Sequence, residues 1–329
     1  MCVLSTFFVI LEELMRVLHA LSVLMILLCV SFWLLCSCTG GADAEAGEIT
    51  FTDALGRTVV LDGVPRRTAS LSGSLADIWM LSGGTLCAAA EDAWDDFSLD
   101  IDDAVCIGGA HSPNPELLIA ADPDFVIASA STAAHVELLD LLTAAGITVA
   151  YFEVECFEDY LAMLSVCTDI TGRTDLYEVN GSALQEQIES IKQQYRQSDI
   201  PDQERQILLL RASSNAVKAK GSDGTILGEM LYDLGCVNIA DSDTGLLENL
   251  SPEAVIACNP YHIFVVTMGS DAEAAIASVT ALIDENPAWS TLDAVKNERL
   301  YIMDRTLFHL KPNERWAEAY RILYETLSK

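Results

Sequence analysis

The side chains that most often carry chemistry are sparse in this chain and poorly spaced for it. Five histidines, His19, His111, His135, His262 and His309, stand far apart, with no pair at a metal-ligand interval. A zinc or manganese centre needs several imidazoles, thiolates and carboxylates that converge, so no protein-bound metal is expected. His135-x-Glu137 matches half of a zinc-deaminase signature, but no P-C-x-x-C follows it, and His135 is read as helix surface. No P-loop, G-x-G-x-x-G, G-x-S-x-G or H-E-x-x-H occurs. These absences argue against an enzyme and give no reason to expect a cofactor; a chelatase or reductase is the enzymatic alternative.

One carboxylate does recur in a constant setting. Asn114-Pro115-Glu116 opens a stretch that ends at Asp122-Pro123 and runs into Phe125-Val126-Ile127-Ala128. Ser251-Pro252-Glu253 opens a second, 137 residues on, that ends at Asn259-Pro260 and runs into Ile263-Phe264-Val265-Val266. In each, a capping residue precedes a proline at the first helical position, where the missing N–H costs nothing. The glutamate lies at the positive end of the helix dipole. An Asp-Pro or Asn-Pro pair stops the helix, and the apolar run reads as a buried strand. Two such units predict two similar α/β lobes.

Composition restricts the partners. The chain has 329 residues and a net charge of −31. Val17 to Leu35 is almost wholly apolar, follows Arg16, and ends in Leu35-Cys36-Ser37-Cys38. A small residue before a cysteine after an apolar run resembles a bacterial lipoprotein signal peptide, here residues 1–37, with Cys38 lipidated and cleavage before it. An uncleaved transmembrane helix is the alternative, since 19 residues just span a bilayer. Glu12 and Glu13 sit where basic residues are expected, so Met15 is the better start. Residues 38–48 are small and polar and read as a tether. After residue 37, 17 basic and 47 acidic residues leave −30. That field repels nucleic acid. No C-x-x-C is present, and disulfide pairing among the six cysteines after Cys38 is left open.

The order of elements must position whatever site there is. Ile49 to Leu61 reads as a hairpin turning at Leu55-Gly56. Thr68–Leu71 is a short strand, and Ser74 with Asp77 makes a capping-box-like start to a helix ending at Gly83-Gly84. Thr85–Ala90 is a strand, 91–97 a loop, Thr132–Ala145 a helix and Ile147–Phe152 a strand. Strand–helix alternation at this spacing argues for a mainly parallel sheet covered on both faces. From Thr174 to Arg196, Leu176, Val179, Leu184, Ile188, Ile191 and Tyr195 recur at helical spacing. This predicts one helix, about 33 Å long at 1.5 Å per residue, midway between the repeated stretches. It is read as a rigid connector at 174–198 between lobes 49–173 and 199–329, each with its own core; an ordinary surface helix is the alternative. The second lobe begins with Ile207–Arg211. A polar loop follows over 212–224, then helices at 225–234, within 271–283 and at 316–327.

Taken in order, these residues resemble a family. The lipobox, Asp53-Ala54-Leu55-Gly56-Arg57, Arg67 with Ser70-Leu71-Ser72, Gly108-Gly109, both Pro-Glu stretches, the long helix and Asn286-Pro287-Ala288-Trp289 together look like the iron-siderophore, haem and cobalamin substrate-binding proteins of ABC importers. The resemblance covers residues 48–329. It implies an α/β fold of two Rossmann-like lobes joined by one long α-helix. It implies a monomer on a membrane lipid anchor at the extracytoplasmic face, binding an iron chelate, or alternatively haem or cobalamin, between lobes that move little. The iron would be held by the chelator. The partner would be a permease dimer with its ATPase, and Glu116 and Glu253 match the glutamates that dock on permease arginines; simple helix-dipole capping is the other reading.

Open α/β sheets place ligands at loops after the C-terminal ends of strands. That nominates Ser72, Gly73, Ser74, Trp94, His111 and Ser129 to Ser131 in the first lobe. In the second it nominates Arg211, Ser213, Ser214, Asn215 and Lys218, and near the end Phe308 and His309. Aromatics would stack on a large planar ligand, Arg211 and Lys218 would offset an anionic one, and His111 or His309 would serve a haem iron. For each residue the alternative is a solvated loop position.

Overall fold

The structure is a computed structural model and describes residues 47–269 and 271–329. The expected signal segment, Cys38 and most of the tether lie outside the described residues. Among the described residues no helix is long and apolar enough to cross a membrane.

The chain enters through the hairpin β1 (Ile49–Thr52) and β2 (Thr58–Leu61). The Asp53-to-Arg57 motif explains itself here. The Asp53 carboxylate accepts from the backbone N–H groups of Leu55 and Arg57 and from the Arg57 guanidinium at 2.6 Å. Arg57 also donates to the Val149 carbonyl and covers the Tyr151 ring, so the turn is pinned to the first sheet. Gly56 supplies the left-handed φ of +73° that the turn needs.

The first sheet is wholly parallel. Its strands are β3 (Thr68–Ser70), β4 (Leu86–Ala89), β5 (Val105–Cys106), and, after the small pairing of β6 (Gly108–Gly109) with β7 (Ser112–Pro113), β8 (Phe125–Ser129) and β9 (Thr148–Phe152). They lie in the order β5-β4-β3-β8-β9. The second sheet holds β10 (Gln206–Ser213), β11 (Ala216–Lys220), β12 (Val237–Asn238), β13 (His262–Thr267) and β14 (Leu300–Met303). Here β10 lies beside β13, which lies beside β14, and both β12 and β11 pair with β10. All pairs are parallel except β10–β11. The order β4-β3-β8-β9 in one sheet thus recurs as β12-β10-β13-β14 in the other. The repeated stretches fall in register within this plan: helices Pro115–Ala120 and Pro252–Cys258 feed β8 and β13. Asn114 and Ser251 accept from the N–H groups of Leu117 and Ala254. Asp122 and Asn259 both turn left-handed at the helix end.

Several expected elements differ. The stretch 132–145 is two short helices, Ala133–Val136 and Leu139–Ala144. The supposed loop 212–224 contains β11, whose Ala-Val-Lys-Ala-Lys alternation is a strand period. The helix Gly73–Leu81 starts at Ser72 with no side-chain cap bond, so the Ser74/Asp77 box is not formed. The connecting helix runs as Thr174–Tyr177, a π-helical turn Glu178–Ser182, and Ala183–Gln197. The wide turn shifts the apolar stripe's phase, which leaves Val179 exposed, and Lys192 is buried farther along.

That turn frees the Asn180 carbonyl, which accepts from the Tyr160 hydroxyl at 2.7 Å, while the Asn180 amide donates to the Leu81 carbonyl. The first half of the connector is therefore tied to the first lobe. Its second half is tied to the second: Lys192 Nζ reaches the Asp233 carboxylate at 3.0 Å, as does the Tyr320 hydroxyl at 2.7 Å. The C-terminal helix Trp316–Leu327 packs along it. The expectation of a separate core for each lobe is corrected here. Three smaller clusters each stay within one lobe, but the largest runs unbroken from Trp79, Phe157 and Tyr160 through Ile188 and Ile191 to Met230, Trp316 and Tyr320. Trp316 meets Phe157 edge-on at 5.7 Å. Truncation of Trp316 to Ala opens a cavity at that joint and is expected to cost about 3–5 kcal/mol; urea unfolding should register it as a lower midpoint with an unchanged m-value.

Candidate functional site: the cleft between the two sheets

The C-terminal ends of β3, β4 and β8 bring together residues from distant parts of the first lobe. After β3, Ser72 and Ser74 hydroxyls meet at 3.0 Å, and Ser74 is buried. Gly73 lies hard against the short helix Asp92–Asp95: a Cβ there would sit 2.6 Å from the Ala93 nitrogen. Its N–H donates to Asp92 Oδ2, while Asp92 Oδ1 is buried without a partner. Burial raises the Asp92 pKa, with Asp96 adding to the rise. Trp94 is half-buried on the same helix and His111 is exposed on the β6–β7 turn.

His135 is fully buried, which corrects the helix-surface reading. Its Nδ1 accepts from the Ser129 N–H at 3.0 Å, so the proton sits on Nε2, which donates to the Ala110 carbonyl at 2.6 Å. One imidazole thus clamps the end of β8 to the residue before His111. Burial lowers its pKa and keeps it neutral.

The second lobe answers with cations. Arg211 is directly opposite Lys218 in the β10–β11 register, and Lys220 is two residues along. A cavity of about 730 Å³ opens between β11, the loop 221–225 and the helix Ile226–Asp233. Arg211, Lys220, Ser222, Thr225, Glu229 and Tyr232 line it. Gly224 at its edge lies 4.0 Å from the Glu155 carboxylate of the first lobe if a Cβ is added. Arg305 crosses the cleft to Asp96 with two hydrogen bonds, the shorter 2.5 Å. His309 is half-buried beside Arg211, Arg305 and Lys311; burial first and then those cations push its pKa down to about 4. Burial also lowers Lys311, which faces Glu155, Asp92, Glu153 and Asp159.

Of the nominated residues, Ser72, Trp94, His111 and Ser129 follow strands of the first lobe, Arg211 lines the second-lobe cavity with His309 beside it, and Lys218 is an exposed residue of β11 opposite Arg211 that does not line the cavity. Asn215 is an exposed residue of the β10–β11 turn. Phe308 does not line the cleft: it is 2% exposed and belongs to the shared core, because the short helix Arg305–Phe308 turns it inward. Sequence reasoning missed Asp92, Asp96, Lys220, Arg305 and Lys311. Lys220 was legible from the alternation of β11; the others depend on which loops meet.

The match to known proteins agrees with this geometry. A two-lobed α/β protein with a polar cleft and a helical connector defines a substrate-binding protein. The chain belongs to the periplasmic binding protein family, whose model matches residues 69–307. It is 23% identical over 265 residues to the Bacillus subtilis uncharacterized ABC transporter substrate-binding lipoprotein YvrC, covering 80% of each chain. Staphylococcus aureus SirA, solved with staphyloferrin B, superposes with a TM-score of 0.67 at 20% identity, over 85% of this chain and 98% of its own. Staphylococcus aureus IsdE, solved with heme, gives 0.65 at 16% identity, over 80% and 99%.

A buried polar joint ties the cleft walls. Asn313, at a left-handed φ of +50°, donates to the Ser74 carbonyl and to Asp77 Oδ2 at 2.7 Å. Burial raises the Asp77 pKa from 3.8 to about 6. The folded state then holds a proton that the unfolded chain has lost between those values, so Asp77 lowers stability as pH rises from about 4 to about 6. Asp77→Asn keeps an acceptor for Asn313 and is expected to gain on wild type across that window, levelling off above pH 6 at up to about 3 kcal/mol. Urea midpoints of the two proteins from pH 4 to 8 measure the difference.

Proposed function

We propose that this chain captures a ferric-siderophore-type iron complex between its two lobes, outside the cytoplasm, and delivers it to an ABC permease dimer. The observation that carries the reading is the cleft: the strand ends of two matching sheets face one another across a polar gap. One helix, tied at both halves, keeps them in place. Ser72, Trp94, His111 and Ser129 offer hydrogen bonds and a stacking surface from one side, and Arg211, Lys218 and His309 offer charge and an imidazole from the other. The second-lobe cavity that opens onto the gap, about 730 Å³, is in the range of ordinary ligand sites, about 300–1,000 Å³. The likeness to a protein solved with staphyloferrin B supports the choice of a siderophore. One feature favours haem as a second reading: His309 is held neutral by burial and then by its cationic neighbours, and a neutral imidazole is what an iron porphyrin takes as a ligand. Titration of the detergent-solubilised protein with ferric siderophores, haemin and cobalamin, read by tryptophan quenching, tests the proposal. Saturable binding of a ferric siderophore is expected; saturation by haemin or cobalamin alone would replace it.

Delivery assigns a role to the repeated glutamates. Glu116 and Glu253 are both exposed, each in the first turn of its helix at the cleft end of a sheet. On this reading they pair with permease arginines, and loss of either weakens docking by roughly 1–3 kcal/mol, less at a wet rim. Glu116→Ala with Glu253→Ala should therefore depress uptake in cells while the purified protein binds ligand normally. Normal uptake would remove the docking role.

Anchoring follows from Cys38. The apolar run before it and the lipoprotein naming of the Bacillus subtilis relative support acylation there. Metabolic labelling with a palmitate analogue is expected to mark wild type and to leave Cys38→Ala unmarked.

A further inference from the structure

Cations are scarce in this chain, yet three of them converge on one edge of the second sheet. Arg211 and Lys218 are direct cross-strand neighbours, and Lys220 follows Lys218 by two residues, so all three project from one face of the β10–β11 ribbon. Like charges placed directly opposite on paired strands repel. Among the described residues no carboxylate forms an ion pair with Arg211, Lys218 or Lys220. The Arg211 Nε is buried with no acceptor. The acidic groups that share the cavity are engaged or set aside. The Asp241 carboxylate accepts from the Ser222 N–H at 2.8 Å, that of Glu229 faces the Gly224 N–H, and Asp223 is exposed. Arg211 and Lys218 also lower the pKa of Lys220, after burial, as expected of positive charge without a counter-charge. The chain carries −30 after residue 37, yet none of its described carboxylates closes an ion pair on these three side chains.

We infer that the cluster of Arg211, Lys218 and Lys220 is the anion-recognition wall of the cleft, and that the transported complex is an anionic ferric chelate with peripheral carboxylates. This rests on the reading of the cleft as an iron-chelate site. The guanidinium fork of Arg211 matches a carboxylate in shape, and the two ammonium groups supply point charge beside it. Binding removes the repulsion within the cluster, so affinity is coupled to the ligand's charge rather than to its iron. A neutral or cationic chelate would leave the repulsion in place and add a desolvation cost.

The test compares chelates of different charge on the detergent-solubilised full chain. Ferric citrate is the anionic carboxylate probe, ferrichrome the neutral one and ferrioxamine B the cationic one, with haemin and cyanocobalamin alongside. Tryptophan quenching gives Kd from 50 to 500 mM NaCl. Ferric citrate is expected to bind tightest of the three chelates and to weaken at least tenfold over that salt range. Arg211→Gln and Lys220→Gln should each weaken it at least tenfold, whereas Lys296→Gln, an equal loss of charge at an exposed position away from the cleft, should not. Thermal melts of each variant confirm that the fold survives. Tighter binding of ferrichrome or ferrioxamine B, or equal Kd values for Arg211→Gln and Lys296→Gln, would overturn the inference while leaving the iron-chelate site standing. Binding of none of the three chelates would instead overturn the reading of the cleft, and the inference with it.

Discussion

The structure depends on one apolar joint. Phe157 and Tyr160 from the first lobe, Ile188 and Ile191 from the connecting helix, and Trp316 and Tyr320 from the C-terminal helix are all buried in a single cluster that crosses from one sheet to the other. Each lobe alone would leave its share of this surface in water, at about 25 cal/mol for every square ångström. The lobes are thereby held in a fixed relation by the same force that folds them. Polar contacts then set the register: Tyr160 to the π turn, Lys192 and Tyr320 to Asp233, and Asn313 to Ser74 and Asp77. Hinge closure would have to break that joint.

The cleft is electrically lopsided. Its first-lobe rim carries Asp92, Asp96, Glu153 and Glu155, and its second-lobe wall carries Arg211, Lys218, Lys220, Arg305 and Lys311. Among the described residues one ion pair closes across the gap, Arg305 with Asp96. Lys311 faces Glu155, Asp92, Glu153 and Asp159 without closing an ion pair. In a chain this acidic, long-range attraction of an anion would be weak at a distance, since the net field opposes it. Local geometry must then provide the affinity once the ligand has entered, where partial burial strengthens each charge contact.

Much of the fold was legible from residue type and spacing. The repeated Pro-Glu stretch gave two helix–strand units, because a cap, a proline at the first helical position and a stop before a β-branched run are each dictated by local sterics and hydrogen bonding. The connecting helix was legible from its period. Its phase was not, because a π turn at Glu178–Ser182 answers to the Tyr160 hydroxyl and the Leu81 carbonyl, which are distant in sequence. His135 was misread for the same reason: nothing near it in the chain reveals that Ser129 and Ala110 arrive at its two nitrogens.

Sequence by itself determined the α/β class, the two-fold repetition of the sheet plan, the absence of familiar catalytic motifs and the identity of Arg211 as a cation at the end of a buried strand. These follow from propensity, periodicity and charge, which act within a few residues. Only the tertiary structure decided that the two lobes share a core, that Phe308 faces inward, that Asp96 and Arg305 pair, and that Lys220 joins Arg211 and Lys218 with no ion pair among the described residues. Those depend on which surfaces are brought together when apolar area is removed from water, and such contacts are set by the whole chain at once rather than by any stretch of it.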